Sequence, residues 1–78
     1  MKILNYRIHL KKEPEGGYTV TVPTLQGCVT FGETIDEAIV MARKAILLYV
    51  ESLVVHGERI PTEEDILEAT ISVESAHA

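Results

Sequence analysis

The side chains of this sequence that could do chemistry are its histidines, one cysteine and scattered carboxylates. His9, His56 and His77 stand far apart, and the sequence contains neither an H-x-x-x-H nor a C-x-x-C pair. Zinc sites are usually assembled from such closely spaced ligands. No glycine motif typical of phosphate binding is present either. The spacing therefore predicts neither a metal site nor a bound cofactor.

Cys28 is the one candidate for nucleophilic catalysis by a thiol. Such chemistry requires a histidine base and a group that orients it. Cys28 follows a predicted turn at Gly27, and no histidine lies near it in the sequence. We expect Cys28 to be a small, half-buried strand residue, and a single cysteine cannot form an internal disulfide.

A metal-dependent nuclease is the sharper enzymatic alternative, because two metal ions need several carboxylates from different elements. Residues 3–11 contain no aspartate or glutamate. Asp36 and Glu37 are explained by the start of a helix, and Glu68 and Glu74 have the alternation of a solvated strand face. We therefore expect no catalytic residues and no enzymatic activity.

Size and charge narrow the class of protein further. The chain has 78 residues with a formal net charge of −5, which predicts one domain over residues 1–78 and disfavours unaided nucleic-acid binding. An acidic surface favours a basic protein partner. With no apolar run long enough for a membrane span and no signal peptide, we expect a cytoplasmic protein.

Alternating apolar and polar residues predict strands on both sides of a long helix. Residues 3–11 and 18–22 form a predicted hairpin around the turn at 14–17, and residues 28–31 form a short third strand. Alternation returns at residues 67–74, which predicts a fourth strand. The predicted fold is α+β with the order β-β-β-α-β, in which one small, mainly antiparallel sheet is covered by one long helix.

The predicted helix has well-marked ends and an unusually apolar circumference. Thr34 and Glu37 have capping-box spacing, and Gly57 is a suitable residue to follow a helix that ends near His56. At about 100° per residue, one broad stripe should cover the sheet: Ile35, Ala38, Ile39, Ala42, Ala45, Ile46, Tyr49, Val50 and Leu53.

Two further apolar rows lie outside that stripe at seven-residue spacing. We call them the Leu47 flank (Val40, Leu47 and Val54) and the Leu48 flank (Met41, Leu48 and Val55). One helix over one small sheet cannot bury so much surface, so at least one flank should contact a second subunit or a partner protein. The alternative is that the connector at residues 57–67 covers one of them.

The ordered set of motifs resembles the HicB family of antitoxins and HicB-like small proteins. The set comprises G-G-Y at 16–18, V-P-x-L-x-G-C at 22–28 and G-x-T-x-x-E-A at 32–38, with a glycine at 57 before Ile60-Pro61. These residues specify turns, caps and close packing, so the motif is typical of a scaffold. The signature residues are Gly16, Gly17, Tyr18, Pro23, Gly27, Gly32, Thr34, Glu37, Ala38, Gly57 and Pro61.

The resemblance implies a partial ribonuclease-H-like fold without its catalytic acids. It also implies a protein that binds a small RNA-cleaving HicA-type toxin and covers its active site. Family antitoxins often carry a C-terminal DNA-binding domain, and we expect a chain of this length to lack one. From the apolar helix flanks and the exposed edges of a small sheet, we expect a homodimer or higher homo-oligomer. A solitary oligomeric domain with a different partner is the main alternative function, and a residual metal-dependent nuclease is a weaker one.

Overall fold

The computed structural model describes residues 2–77, so the two terminal residues of the predicted domain, Met1 and Ala78, lie outside the described part. Three strands precede one helix: β1 (His9–Lys12), β2 (Tyr18–Thr21), β3 (Val29–Gly32) and α1 (Ile35–Val55). The strands form an antiparallel sheet in the order β1-β2-β3. The predicted α+β class, with a small antiparallel sheet and one long helix, is confirmed.

The hairpin between β1 and β2 is closed by glycines that adopt left-handed backbone angles. Gly16 and Gly17 have φ values of 106° and 79°, which L-residues with a side chain rarely adopt. The turn places Leu10 opposite Val20, whose side chain is fully buried. This register directs the alternate residues of β2 toward the helix.

The start of α1 is fixed by its cap and by close contact with β3. The Thr34 side chain accepts a hydrogen bond from the Glu37 backbone N–H at 3.1 Å, as the capping motif predicts. Gly32 lies so close to Ala38 that a Cβ atom on Gly32 would stand 2.3 Å from the Ala38 nitrogen. Gly32 is therefore the last residue of β3 and a contact point for the helix, although the sequence suggested only a strand break.

The predicted end of the helix is also confirmed. Helix α1 ends at Val55, His56 is its C-cap, and Gly57 follows with a φ of 68°. The His56 ring nitrogen Nδ1 lies 2.7 Å from the Ser52 carbonyl oxygen, to which it can donate. The same carbonyl also accepts the backbone N–H of His56 at 3.1 Å. His56 thus contacts the negative end of the helix dipole through both its ring and its backbone, as expected for a structural histidine.

The core lies between the sheet and the middle of α1 and consists of two small clusters. In the first, Val20 packs with Ala38 and Ala42. In the second, Val22, Leu25 and Cys28 pack together, and Tyr49 and other partly buried residues surround them. The alanines let the helix approach the sheet closely, but they bury little apolar area each.

Two of the predicted strands differ from what the structure contains. The first strand is limited to His9–Lys12, and residues 3–8 lie outside any strand although the alternation extends through them. Residues 67–74 also lie outside any strand, so the fourth strand of the predicted order was wrong for the chain by itself. Alternating apolar and polar residues make a segment suitable for a β-strand, but a strand forms only when a neighbouring strand is available. Neither segment has a hydrogen-bonded neighbour strand here. The ribonuclease-H-like strand order stays a prediction.

Candidate protein-binding surface

The apolar flanks of α1 are exposed in the folded chain. Leu48 and Val55 are 67% and 81% exposed, whereas Met41 is half-buried. On the other flank, Val40, Leu47 and Val54 are each more than half exposed. The six predicted interface residues therefore border two long sides of one helix, with five of them on the surface.

Much of the helix surface is uncovered because the sheet formed within residues 2–77 has three short strands. Ala38 and Ala42 are the buried residues of α1, and they mark a narrow contact line. Ile35 and Ile39 were predicted to cover the sheet, but they are 51% and 41% exposed. A sheet of this width covers about one face of a helix, so the apolar residues on both sides of that face stay in solvent.

The connector after α1 leaves five of the six flank residues exposed, and its polar contacts go to Tyr6, Arg7 and Thr24. The Tyr6 hydroxyl donates to the Pro61 carbonyl at 2.6 Å. The Glu63 carboxylate accepts from the Thr24 hydroxyl at 2.7 Å. It also accepts from Arg7, at 2.9 Å from Nε and 3.1 Å from the backbone nitrogen. The alternative in which the connector buries a flank is thus not what the structure shows.

Glu63 holds this connector through a set of hydrogen bonds to its charged form. Its side chain is only 9% exposed, and it forms an ion pair with Arg7. Burial by itself raises the pKa of Glu63, but the hydrogen bonds from Thr24 and Arg7 and the Arg7 charge outweigh it. The net effect is a pKa below the usual value for glutamate. Ionised Glu63 therefore stabilises the docked connector.

Acid is expected to weaken the folded state through Glu63. Because its folded-state pKa is depressed, its contribution is present above the unfolded-state value of about 4.3 and is lost as the pH falls through the folded pKa. At neutral pH, Glu63→Gln should lower the free energy of unfolding by about 1–2 kcal/mol. Urea unfolding at a series of pH values measures both effects.

The exposed neighbour Glu64 provides the matched control for this experiment. Glu64→Gln removes the same charge from the same connector, but Glu64 is exposed and should contribute little. The gap in stability between the wild-type chain and Glu63→Gln should shrink as the pH is lowered below about 4. An equal gap at neutral and acid pH would contradict the assigned role of the Glu63 charge.

An open groove lies between the N-terminal segment and α1, on the side of the Leu47 flank. Its volume is about 460 Å³. Leu4, Tyr6 and Ile8 line one wall, and the helix residues Ile39, Ile46 and Leu47 line the other. Its N-terminal wall is the segment that leads into β1. The groove and the two flanks are the apolar surfaces available for a partner.

Cys28, predicted to be a half-buried strand residue, is buried and lies one residue before β3. Burial raises the pKa of its thiol, which keeps it protonated and weakly nucleophilic. Within residues 2–77, no three His, Cys, Asp or Glu side chains are grouped so that they could hold a metal ion.

Sequence reasoning missed the cluster formed by Tyr6, Arg7, Thr24 and Glu63. Arg7 and Glu63 are 56 positions apart, and nothing in local alternation relates them. The weak signal available was the alternation around Arg7, which placed a charged residue on the polar side of an otherwise apolar segment. The groove was also not predicted, because its two walls, at residues 4–8 and on the helix, are far apart in the sequence.

Among residues 2–77, no helix combines the length and apolarity that a membrane crossing requires.

Comparison with known proteins identifies the chain's relatives. A UPF0150 protein of Synechocystis sp. is 40% identical over 92% of this chain and 90% of its own length. A UPF0150 protein of Thermoplasma acidophilum is 42% identical over 77% of this chain and 87% of its own length.

A third relative is named for its function. Antitoxin HicB 1 of Photorhabdus laumondii subsp. laumondii is 32% identical over 96% of this chain, which spans 51% of that antitoxin. The family described as "HicB_like antitoxin of bacterial toxin-antitoxin system" matches residues 6–77, which include the hairpin, the helix and the connector. The chain therefore belongs to the HicB-like antitoxins of bacterial toxin–antitoxin systems.

Proposed function

We propose that this chain is an antitoxin that binds a small, basic, RNA-cleaving toxin of the HicA type and neutralises it sterically. The observation that carries the proposal is the family match across residues 6–77. Inhibition by occupation requires a stable surface that fits the toxin and no chemical group of its own. We also propose a cytoplasmic location, where a toxin that cleaves cellular RNA would have to be held inactive.

The Leu48 flank is the surface we propose for the toxin. It lies on the side of α1 away from the groove, and Leu48 and Val55 expose most of their side chains there. Aliphatic side chains of this kind supply the desolvated centre of a protein interface. The polar band beside them carries Glu37, Lys44 and Glu51, and the net charge of the chain is −5. This negative charge would attract a basic toxin, and the antitoxin would then compete with RNA for the basic surface of that toxin.

Self-association is the second part of the proposal. The fully buried apolar residues of the described chain are few and mostly small: Val20, Val22, Leu25, Cys28, Ala38 and Ala42. A core of that size stabilises a 78-residue domain only weakly. Association of two or more copies would bury more of the exposed apolar surface. A homo-oligomer that binds no toxin is the alternative function, and the same surfaces would then serve self-association alone.

The decisive experiment is an RNA-cleavage assay with a purified small basic protein of the HicA type. The purified toxin candidate is incubated with RNA while this chain is titrated to and beyond stoichiometric amounts. Protection of the RNA that saturates at a fixed molar ratio, together with co-elution of the two proteins, would support the proposal. RNA cleavage that continues at a large excess of this chain would contradict it and favour the solitary oligomer.

A charge introduced into the proposed surface gives a sharper prediction. Leu48→Glu is expected to weaken toxin binding by roughly 100-fold, because a carboxylate would be desolvated in the interface without a partner. Isothermal titration calorimetry with the toxin measures the change. Val29→Glu is the matched control, since it adds the same charge at a 58% exposed valine on the sheet. Equal toxin affinity for the Leu48→Glu variant and the wild-type chain would exclude the Leu48 flank as the toxin surface.

A further inference from the structure

The segment at residues 67–74, here called the arm, has the pattern of a strand but no strand to pair with. Leu67, Ile71 and Val73 share one parity and are 96%, 82% and 82% exposed. The intervening residues are polar, so one side of the arm is apolar and the other side is polar. Such a pattern is stable when one side rests on a core. In the single chain, the apolar side rests on nothing.

The arm also makes the chain more extended than a folded domain of its length. The Cα radius of gyration is 15.2 Å, and the principal extents are 49 × 31 × 20 Å. A compact chain of this length would have a radius of gyration of about 12 Å. At the root of the arm, Glu68 is tied to Arg7 at 3.0 Å. Beyond that ion pair the arm leaves the body of the molecule and takes no part in lining the groove.

The free edge of β1 has the unpaired backbone groups with which the arm could form a strand. β1 is paired with β2 on one side only, so its other side presents unpaired backbone donors and acceptors. Residues 3–8 continue the chain along that edge without pairing. The groove lies along this segment, just before β1 begins, and its apolar walls include Ile8, Ile46 and Leu47. A strand added at this edge would place its apolar side in the groove and its polar side in solvent.

Charge favours the same arrangement. The edge strand carries His9, Lys11 and Lys12 and no acidic residue. The arm carries Glu68 and Glu74 and no basic residue. Pairing one arm with another would bring like charges together, whereas pairing an arm with the β1 edge brings opposite charges together.

We infer that the arm of one copy adds to the β1 edge of a second copy as its fourth strand, with Leu67, Ile71 and Val73 in the groove. A second copy is the fitting occupant because each chain carries both the arm and its complementary edge. Two copies related by a twofold axis satisfy both features at once, as in exchange of an element between subunits. The inference rests on the self-association proposed above and specifies its geometry.

The oligomeric state of arm variants tests this inference. Ile71→Asp is expected to shift the full chain from dimer to monomer, with a dissociation constant raised by roughly 100-fold or more, because its charge would enter the groove. Ser72→Asp adds the same charge on the wet side of the arm and should leave the dimer intact. Sedimentation equilibrium gives the mass of each variant, and circular dichroism shows that each is folded.

The possible results test self-association and arm exchange separately. A monomeric wild-type chain would overturn both self-association and arm exchange. A dimer that survives Ile71→Asp as well as it survives Ser72→Asp would overturn arm exchange and leave self-association standing. Leu47→Glu, on the groove side, should mimic Ile71→Asp if the arm occupies the groove.

Zero-length cross-linking of the wild-type chain provides evidence that does not depend on any variant. Isotopically light and heavy chains are mixed, allowed to exchange, and treated with a carbodiimide. Arm exchange predicts amide links between Glu74 and Lys11 or Lys12 in peptides that contain one light and one heavy partner. Links that join only peptides of equal isotope content would show an arm folded back on its own chain, and would contradict the inference.

Discussion

Replacement of Gly32 by alanine is expected to lower the free energy of unfolding by about 3 kcal/mol, which is enough to leave a domain of this size largely unfolded. A Cβ atom at this position would stand 2.3 Å from the backbone nitrogen of Ala38 and 2.5 Å from its Cα. Backbone atoms in the first turn of a helix cannot rotate away as a flexible side chain would. The helix would have to move off the sheet at the point where Val20 and Ala38 pack.

Thermal and urea unfolding monitored by circular dichroism will measure the loss. Gly27→Ala is the matched control, because Gly27 has a φ of 78° but open space where a Cβ would lie. That variant should cost only the left-handed conformation, about 1 kcal/mol. If Gly32→Ala unfolds at the same urea concentration as the wild-type chain, the close contact between β3 and α1 is not a constraint on the fold.

Leu25→Ala is expected to destabilise the chain by about 2–5 kcal/mol, the second large effect. Leu25 is 1% exposed and, with Val20, is among the largest fully buried side chains of the described residues. It lies in the bend between β2 and β3, which is closed by hydrogen bonds from its own N–H to Val22 and from the Cys28 N–H to its carbonyl. Truncation would leave a cavity in a core that has little other bulk to fill it.

Leu48→Ala is the control for this substitution, since it removes the same atoms from a side chain that is 67% exposed in the folded chain. We expect it to change the free energy of unfolding of the isolated antitoxin by less than about 0.5 kcal/mol. Equal unfolding midpoints for Leu25→Ala and the wild-type chain would contradict the assignment of Leu25 to the core. A concentration-dependent loss for Leu48→Ala would instead reveal that another subunit covers this flank.

The hairpin and the helix could be predicted from the sequence because their determinants are local. Gly16 and Gly17 provide the positive φ angles of the turn, and the structure gives them those angles. Thr34 and Gly57 mark the two ends of α1 within one residue of the predicted positions. Turns and caps depend on a few consecutive residues, so their physical chemistry is visible in the sequence itself.

The candidate surface could be predicted only in part. The periodicity of the helix showed that the Leu47 and Leu48 flanks are apolar surface beyond what one small sheet can cover. The structure shows that five of those six residues are exposed. Periodicity could not show that the connector turns toward Tyr6, Arg7 and Thr24, because those contacts join residues far apart in the chain. Which apolar face is covered depends on where distant segments meet.

The arm is a segment whose pattern could be predicted from the sequence but whose pairing could not. Alternation correctly identified a segment with one apolar and one polar side, yet the predicted fourth strand is not formed by the single chain. A strand requires a neighbour, and the hydrogen bonds that define it belong to two segments at once. The sequence by itself determined the turns, the helix ends and the polarity of each face. Only the tertiary structure decided which faces find a partner within the chain, because pairing and burial depend on the position of every other segment.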